Sequence, residues 1–200
     1  MRDHCDAPIL HVGEEPRRIV AGRRRRRRQL AVAALIGCTA VPLAASALLN
    51  LPVLLVWNAS ASAPIGLYRV HSGRPVRRGD MVVAWTPEPA RSLAARRHYL
   101  PANVPLVKRV AAVTGNRVCA VGASVSIDGR RAATRQVRDR AGRPLAWWNG
   151  CRRLRAGEYF LLMDSPLSFD GRYFGVTRRR EILGRAELLW ARPAKGRNDG

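Results

Sequence analysis

"PLVKRVAAV", residues 105–113, decides how this chain folds. The stretch is short and rich in β-branched side chains, so it reads as a strand. Side chains alternate between the two faces of a strand. Lys108 then shares a face with Leu106, Val110 and Ala112, while Arg109 falls opposite with Val107 and Ala111. Stretches of the same character lie on either side. "MVVAW" (81–85), "RVCAV" (117–121), "EYFLLM" (158–163) and "AELLW" (186–190) all read as strands. "SVSIDGRRA" places an Asp-Gly pair between short extended segments, a hairpin signal. "RRGD" (77–80) reads as a turn into a strand, and residues 130–157 read as loop-rich. The body of the chain is therefore expected to be mainly β.

Lys108 is chemically unusual here. Of 36 basic residues, all but Lys108 and Lys195 are arginine. A guanidinium stays protonated at any accessible pH and cannot act as a base. An amine on an apolar strand face can, because desolvation disfavours its charged form. Bringing it from about 10.4 to a working value of about 7 to 8 takes roughly 4 kcal/mol, which burial supplies. The plain alternative is a strand-edge lysine that snorkels to water.

The net charge of +22 has two readings. One is a genome that favours arginine codons; the other is nucleic-acid binding. No recognition helix, zinc spacing or aromatic-basic strand pair supports the second, so no nucleic-acid partner is expected. Cys5 lies in the N-terminal tail, Cys38 in an apolar run, and Cys119 and Cys151 in the body. None forms a CxxC pair, and no metal site is expected.

Residues 1–29 read as a disordered basic tail, and 193–200 as a frayed end. From Leu30 to Trp57 no residue is charged. About twenty residues at ~1.5 Å each span the ~30 Å of bilayer hydrocarbon, so residues 30–57 read as a transmembrane anchor, with Pro42 as a kink. A cleavable signal peptide ending near "ASASA" is the rival. The length of the run, the tail before it and Pro64 after Ala63 weigh against cleavage. The fifteen residues before Leu30 hold eight arginines, and the fifteen after Trp57 hold only Arg69. The tail is then cytoplasmic, and residues 58–192 lie beyond the inner membrane, in the periplasm.

Two further stretches carry chemistry. In "NASASAPIGLYRV" (58–70), Pro64 pushes Ala63 towards an extended conformation and Gly66 permits a close approach. Ser60 and Ser62 share a side if the segment is extended, so one hydroxyl could be a nucleophile and the other an oxyanion donor. Linker material after a membrane helix has the same composition. In "SPLSFDGRYFG" (165–175), Ser168, Asp170 and Arg172 alternate and share a face if extended. Asp170 and Arg172 could pair, and Ser168 could bond an amine; a solvated loop is the alternative. No histidine stands in a triad context, and a serine–lysine pair needs none.

Taken in order behind one anchor, "NASASAPIGLYRV", "PLVKRVAAVTGNRV" and "SFDGRYFGVT" resemble the type I signal peptidase family, closest to its TraF-type branch of conjugative transfer peptidases. The serine box of that branch runs N-x-[T/S]-x-S-x-P-x-G-x-Y. The resemblance implies a coiled β-sheet domain, Ser62 as nucleophile, Lys108 as general base, and an oxyanion hole from the Ser60 hydroxyl and the Ser62 N–H. It implies Ser168 as the group that orients the lysine, Asp170 and Arg172 in support, and no cofactor or metal. A Cys119–Cys151 disulfide looks like the same branch. The third box departs from the family's S-x-D-S-R: Gly171 stands where the second serine is usual, and "MDS" (163–165) replaces G-D-N.

The expected function is a membrane-anchored serine endopeptidase acting on exported precursors, with a conjugative pilin precursor as the family's implied substrate. The rival is a non-catalytic, membrane-tethered part of a conjugation or secretion apparatus. A scaffold has no reason to avoid arginine at position 108.

Overall fold

The structure is a computed structural model that describes residues 15–48 and 53–193. Contacts divide the chain into two units, Met1–Leu51 and Pro52–Gly200. The first contains one helix, α1 (Glu15–Leu48), with Pro42 inside it. It begins within the stretch read as a disordered tail, so that reading is corrected from Glu15 onward; residues 1–14 lie outside the described residues. Arg25–Arg28 on this helix are exposed. Among the described residues no helix is long and apolar enough to cross a membrane. Residues 49–52 and 194–200 also lie outside the described set, which takes in all but the first residue of the expected frayed end.

The second unit is mainly β, as its strand-like runs require. Eleven strands form two antiparallel sheets. The larger has the order β1-β2-β11-β3-β4-β9-β10. Its strands are β1 (Leu55–Asn58), β2 (Gly66–His71), β3 (Met81–Ala84), β4 (Leu106–Ala112), β9 (Glu158–Leu162), β10 (Val176–Arg178) and β11 (Ile182–Ala191). The smaller sheet, β7-β6-β5-β8, consists of β5 (Arg117–Val121), β6 (Ser124–Ile127), β7 (Arg130–Thr134) and β8 (Gly150–Arg153). The Asp-Gly pair turns β6 into β7 with both residues at positive φ, the geometry of a type I′ hairpin. Among the described residues the unit also has two short α-helices, α2 (Ala90–Arg96) and α3 (Gly171–Phe174), and a 3-10 turn at Arg179–Glu181.

Two further sequence readings change. Residues 55–57 were assigned to the anchor, yet Leu55–Asn58 pairs with Arg69–Gly66 as the outer strand of the large sheet. Residues 130–157 are not loop throughout: β7 and β8 lie in them. Both are almost wholly exposed and lack an apolar alternation, so periodicity had nothing to detect.

The packing places β4 at the centre. Ala112, Phe160 and Leu162 of the large sheet meet Val118, Ala120, Val125, Ile127 and Leu154 in a core shared by both sheets. A second cluster, of Ala63, Tyr68, Val70, Val83, Val107 and Met163, lies at the serine loop. A third holds Val82, Ala84, Val110, Leu161 and Ile182. Val82 is the direct cross-strand partner of Lys108. Cys119 faces Cys151 across β5 and β8, and the two are disulfide-bonded. Cys38 is free and exposed on α1.

Candidate active site

The serine loop is shaped by the residue that opens it. Asn58 ends β1 and is buried. Its amide Nδ2 donates to the carbonyls of Ser60, Ala63 and Pro64 at 2.9, 3.2 and 3.0 Å. Its Oδ1 accepts from the Ser60 N–H at 3.1 Å. One side chain thus satisfies four backbone groups and winds residues 58–64 around itself. The Tyr68 hydroxyl donates to the Pro64 carbonyl at 2.8 Å and holds the far end. Gly66 lies where β2 passes β11; a Cβ there would stand 2.0 Å from the Trp190 carbonyl oxygen. Asn58 and Tyr68 belong to the quoted serine motif, but sequence reasoning gave them no role. Their signal was an amide and a phenol flanking a loop of small residues, which fits capping as readily as chemistry.

The extended geometry expected for this segment is corrected. The chain turns at Ala61–Ser62, and the Ala63 N–H donates to the Ser60 carbonyl at 3.4 Å. The turn still brings Ser60 Oγ within 2.9 Å of Ser62 Oγ, and Ser60 Oγ accepts from the Ser62 N–H at 3.4 Å.

Lys108 crosses to this loop from β4. Its Nζ lies 2.8 Å from Ser62 Oγ and 2.8 Å from Ser168 Oγ. The residue is only 2% exposed, so the sequence alternative of a lysine that snorkels to water does not hold. Burial pushes the amine down to about 8; the Asp170 carboxylate works against that shift and the Arg172 guanidinium adds to it. Arg109, on the other face, forms two hydrogen bonds to exposed Asp164, at 3.1 and 2.9 Å.

Ser168 is fixed from behind by a buried ion pair. Asp170 caps α3, accepting from the Arg172 N–H at 3.2 Å. The Arg172 guanidinium donates to both Asp170 oxygens, at 2.8 and 3.1 Å. It also reaches the carbonyls of Met163 (2.6 Å) and Pro166 (3.2 Å). The Met163 N–H donates to Asp170 at 3.1 Å. Asp170 and Arg172 are 0% and 2% exposed, so neither is free to meet a substrate. Their partners instead fix the 163–168 segment that carries Ser168. The expected extended alternation is corrected here too, because the chain turns helical at Gly171. Gly171 itself has no room for a side chain: a Cβ would stand 2.6 Å from the Leu161 carbonyl and 2.9 Å from the Phe160 ring.

Ser60, Ser62, Lys108 and Ser168 therefore form one hydrogen-bonded chain, and the Asp170–Arg172 pair holds the backbone of the segment that carries Ser168. Cys119 and Cys151 join β5 to β8 and are not hydrogen-bonded into it. Among the described residues no group of three or more His, Cys, Asp or Glu could hold a metal ion. A hydroxyl bonded to a buried amine of lowered basicity, next to a backbone N–H and a second hydroxyl, can exchange a proton and receive a developing negative charge.

The chain is 38% identical over 142 residues to a "Probable conjugal transfer protein TraF" of Sinorhizobium fredii, covering 65% of this chain and 73% of the relative. It is 34% identical over 143 residues to the "Conjugal transfer protein TraF" of Agrobacterium fabrum, covering 66% and 80%. A "Plasmid transfer protein TraF" of Escherichia coli is 33% identical over 146 residues, covering 66% and 82%. A crystal structure of a signal peptidase I from Enterococcus faecalis matches 56% of this chain and 97% of its own at 19% identity, with a TM-score of 0.34. The family model described as "Signal peptidase, peptidase S26" matches residues 27–191, a span that holds the serine loop, the lysine strand and the Asp170–Arg172 pair, and the chain belongs to that signal peptidase family.

Proposed function

We propose that this protein is a serine endopeptidase with a Ser62/Lys108 dyad, held at the inner membrane by the apolar run that begins at Leu30. The observation that carries the reading is the 2.8 Å contact between Lys108 Nζ and Ser62 Oγ at a buried amine whose basicity falls to about 8. The neutral amine accepts the Ser62 proton as Oγ attacks the peptide carbonyl. The Ser62 N–H and the Ser60 hydroxyl take the charge that develops on the carbonyl oxygen. The lysine ammonium returns the proton to the departing amine, leaving an acyl-enzyme. The same amine then deprotonates the water that hydrolyses it. Ser168 orients the amine throughout, and Asp170 with Arg172 orients Ser168.

The location rests on the sequence. The uncharged run and the arginines that precede it support a single crossing with a cytoplasmic N-terminus and a periplasmic peptidase unit. The relatives named for conjugal and plasmid transfer support a role in transfer, and the family resemblance implies an exported precursor, a conjugative pilin above all, as substrate. The test is processing of such a precursor in membranes. Wild type cleaves it, while Ser62→Ala accumulates and leaves it intact. Cleavage by Ser62→Ala at a substantial rate rules out this nucleophile. Loss of transfer without any cleavage activity in the wild type favours the scaffold reading.

A further inference from the structure

Two concave surfaces flank Ser62, and they differ in charge. One is lined by Ala61, Ala63, Pro64, Ile65 and Met163; its Arg109 is neutralised by Asp164, and Arg192 is its one other cation among the described residues. The other contains Arg138, Arg140 and Arg143 together with Tyr99, Phe169 and Tyr173, and Arg143 lies over the Tyr99 ring. These arginines come from residues 136–145, a small hairpin whose strands bridge at Arg138 and Pro144.

The one carboxylate in that second lining is already engaged. Asp139 accepts from the Tyr99 hydroxyl, from the Arg143 guanidinium at 2.7 Å and from the N–H groups of Ala141 and Arg143 at 2.9 and 2.8 Å. Arg143 is thereby neutralised, and it also donates to the Arg97 carbonyl at 3.2 Å. Arg97 in turn donates to the Pro144 carbonyl at 2.8 Å, so the hairpin is tied to the segment after α2 at several points. Arg138 bonds only the Gly142 carbonyl, at 2.7 Å, and Arg140 makes no hydrogen bond or ion pair among the described residues. Two guanidiniums thus line the surface beside the nucleophile with no counter-ion among the described residues, on a hairpin pinned in place.

We infer that the surface under the 136–145 hairpin is a carboxylate-reading subsite, in which Arg138 and Arg140 select precursors with an aspartate or glutamate close to the scissile bond. The inference rests on the Ser62 peptidase reading. A planar guanidinium presents paired donors that match a carboxylate, and a fixed loop lowers the entropy lost on binding. Among the described residues the surface on the other side of Ser62 contains one unpaired guanidinium, Arg192, against the two of the hairpin.

The experiment uses full-length protein in detergent and matched peptides that differ only in Glu against Gln, placed on either the N-terminal or the C-terminal side of the cleaved bond. Wild type should favour Glu over Gln by about tenfold in kcat/KM on the side that meets the hairpin. The double variant Arg138→Gln/Arg140→Gln should bring that ratio below about twofold. Removing the same charge at Arg130 and Arg180, which line neither surface, should leave the ratio intact. Equal cleavage of Glu and Gln peptides on both sides by wild type, or an undiminished ratio in the double variant, overturns the subsite. If wild type cleaves no peptide, the peptidase reading fails instead. Fluorescence-detected binding of the same peptides to Ser62→Ala then decides the subsite by itself: tighter binding of the Glu peptide supports it and equal binding overturns it.

Discussion

Lys108 is held in a state that costs stability. Its amine is lowered by burial from 10.5 to about 8. The unfolded chain therefore holds a proton that the native state has lost between about pH 8 and pH 10.5, and native stability should rise across that window. Below it both states are protonated and the penalty, about 3 kcal/mol, is constant. Lys108→Met fills similar space without a charge. It should raise Tm at neutral pH, by a gain on the order of 1 to 3 kcal/mol, while abolishing cleavage. Thermal unfolding checks it, and a lowered Tm contradicts it. The same proton sets the rate: cleavage should increase with pH through about 8, because only the neutral amine takes the Ser62 proton. Lys108→Arg keeps the charge and should be inactive at every pH tested. Near-normal cleavage by this variant removes the dyad from the mechanism.

At the scale of elements, the serine loop and α3 owe their shapes to partners outside their own sequence. Asn58→Ala removes four hydrogen bonds from the 58–64 loop, three of them to carbonyls. It should destabilise the protein by about 2 to 3 kcal/mol and cut cleavage further than that loss of folded protein explains. Circular dichroism beside kcat separates the two effects. Gly171→Ser would restore the residue usual in the family's third box. Here it should destabilise rather than help, because the Cβ meets the Leu161 carbonyl and the Phe160 ring. An unchanged Tm would show that α3 shifts freely. The Cys119–Cys151 bond ties exposed β8 to β5. Alkylation should label both thiols only after reduction, and reduction should cost about 3 to 4 kcal/mol in the loop-entropy model.

On the scale of the whole molecule, much was legible before any fold was known. The runs at 81–85, 105–113, 117–121 and 158–163 fall in strands because each has a buried face and β-branched or aromatic residues to fill it; 186–190 also lies in a strand, β11, although Leu188, Leu189 and Trp190 are exposed there. The alternation around Lys108 put the lysine on a buried face, and the Asp-Gly pair located its hairpin. What stayed hidden lacked a local signal. β7 and β8 are exposed, β1 was absorbed into the apolar run before it, and the hairpin at 136–145 is held by Arg97 and Tyr99, about forty positions away.

By itself the sequence determined the mainly β class, the choice of lysine over arginine at position 108 and the order of the three chemical stretches. These follow from composition and a period of two, which are local properties. Only the tertiary structure decided that 46 positions of separation close to 2.8 Å between Lys108 and Ser62, and 60 positions to 2.8 Å between Lys108 and Ser168. It also decided that Asp170 and Arg172 are buried behind the site rather than within reach of a substrate. The physical reason is that burial and proton affinity depend on what packs around a group. Those neighbours come from β1, β4, β9 and α3, which meet only when the sheet closes over its core.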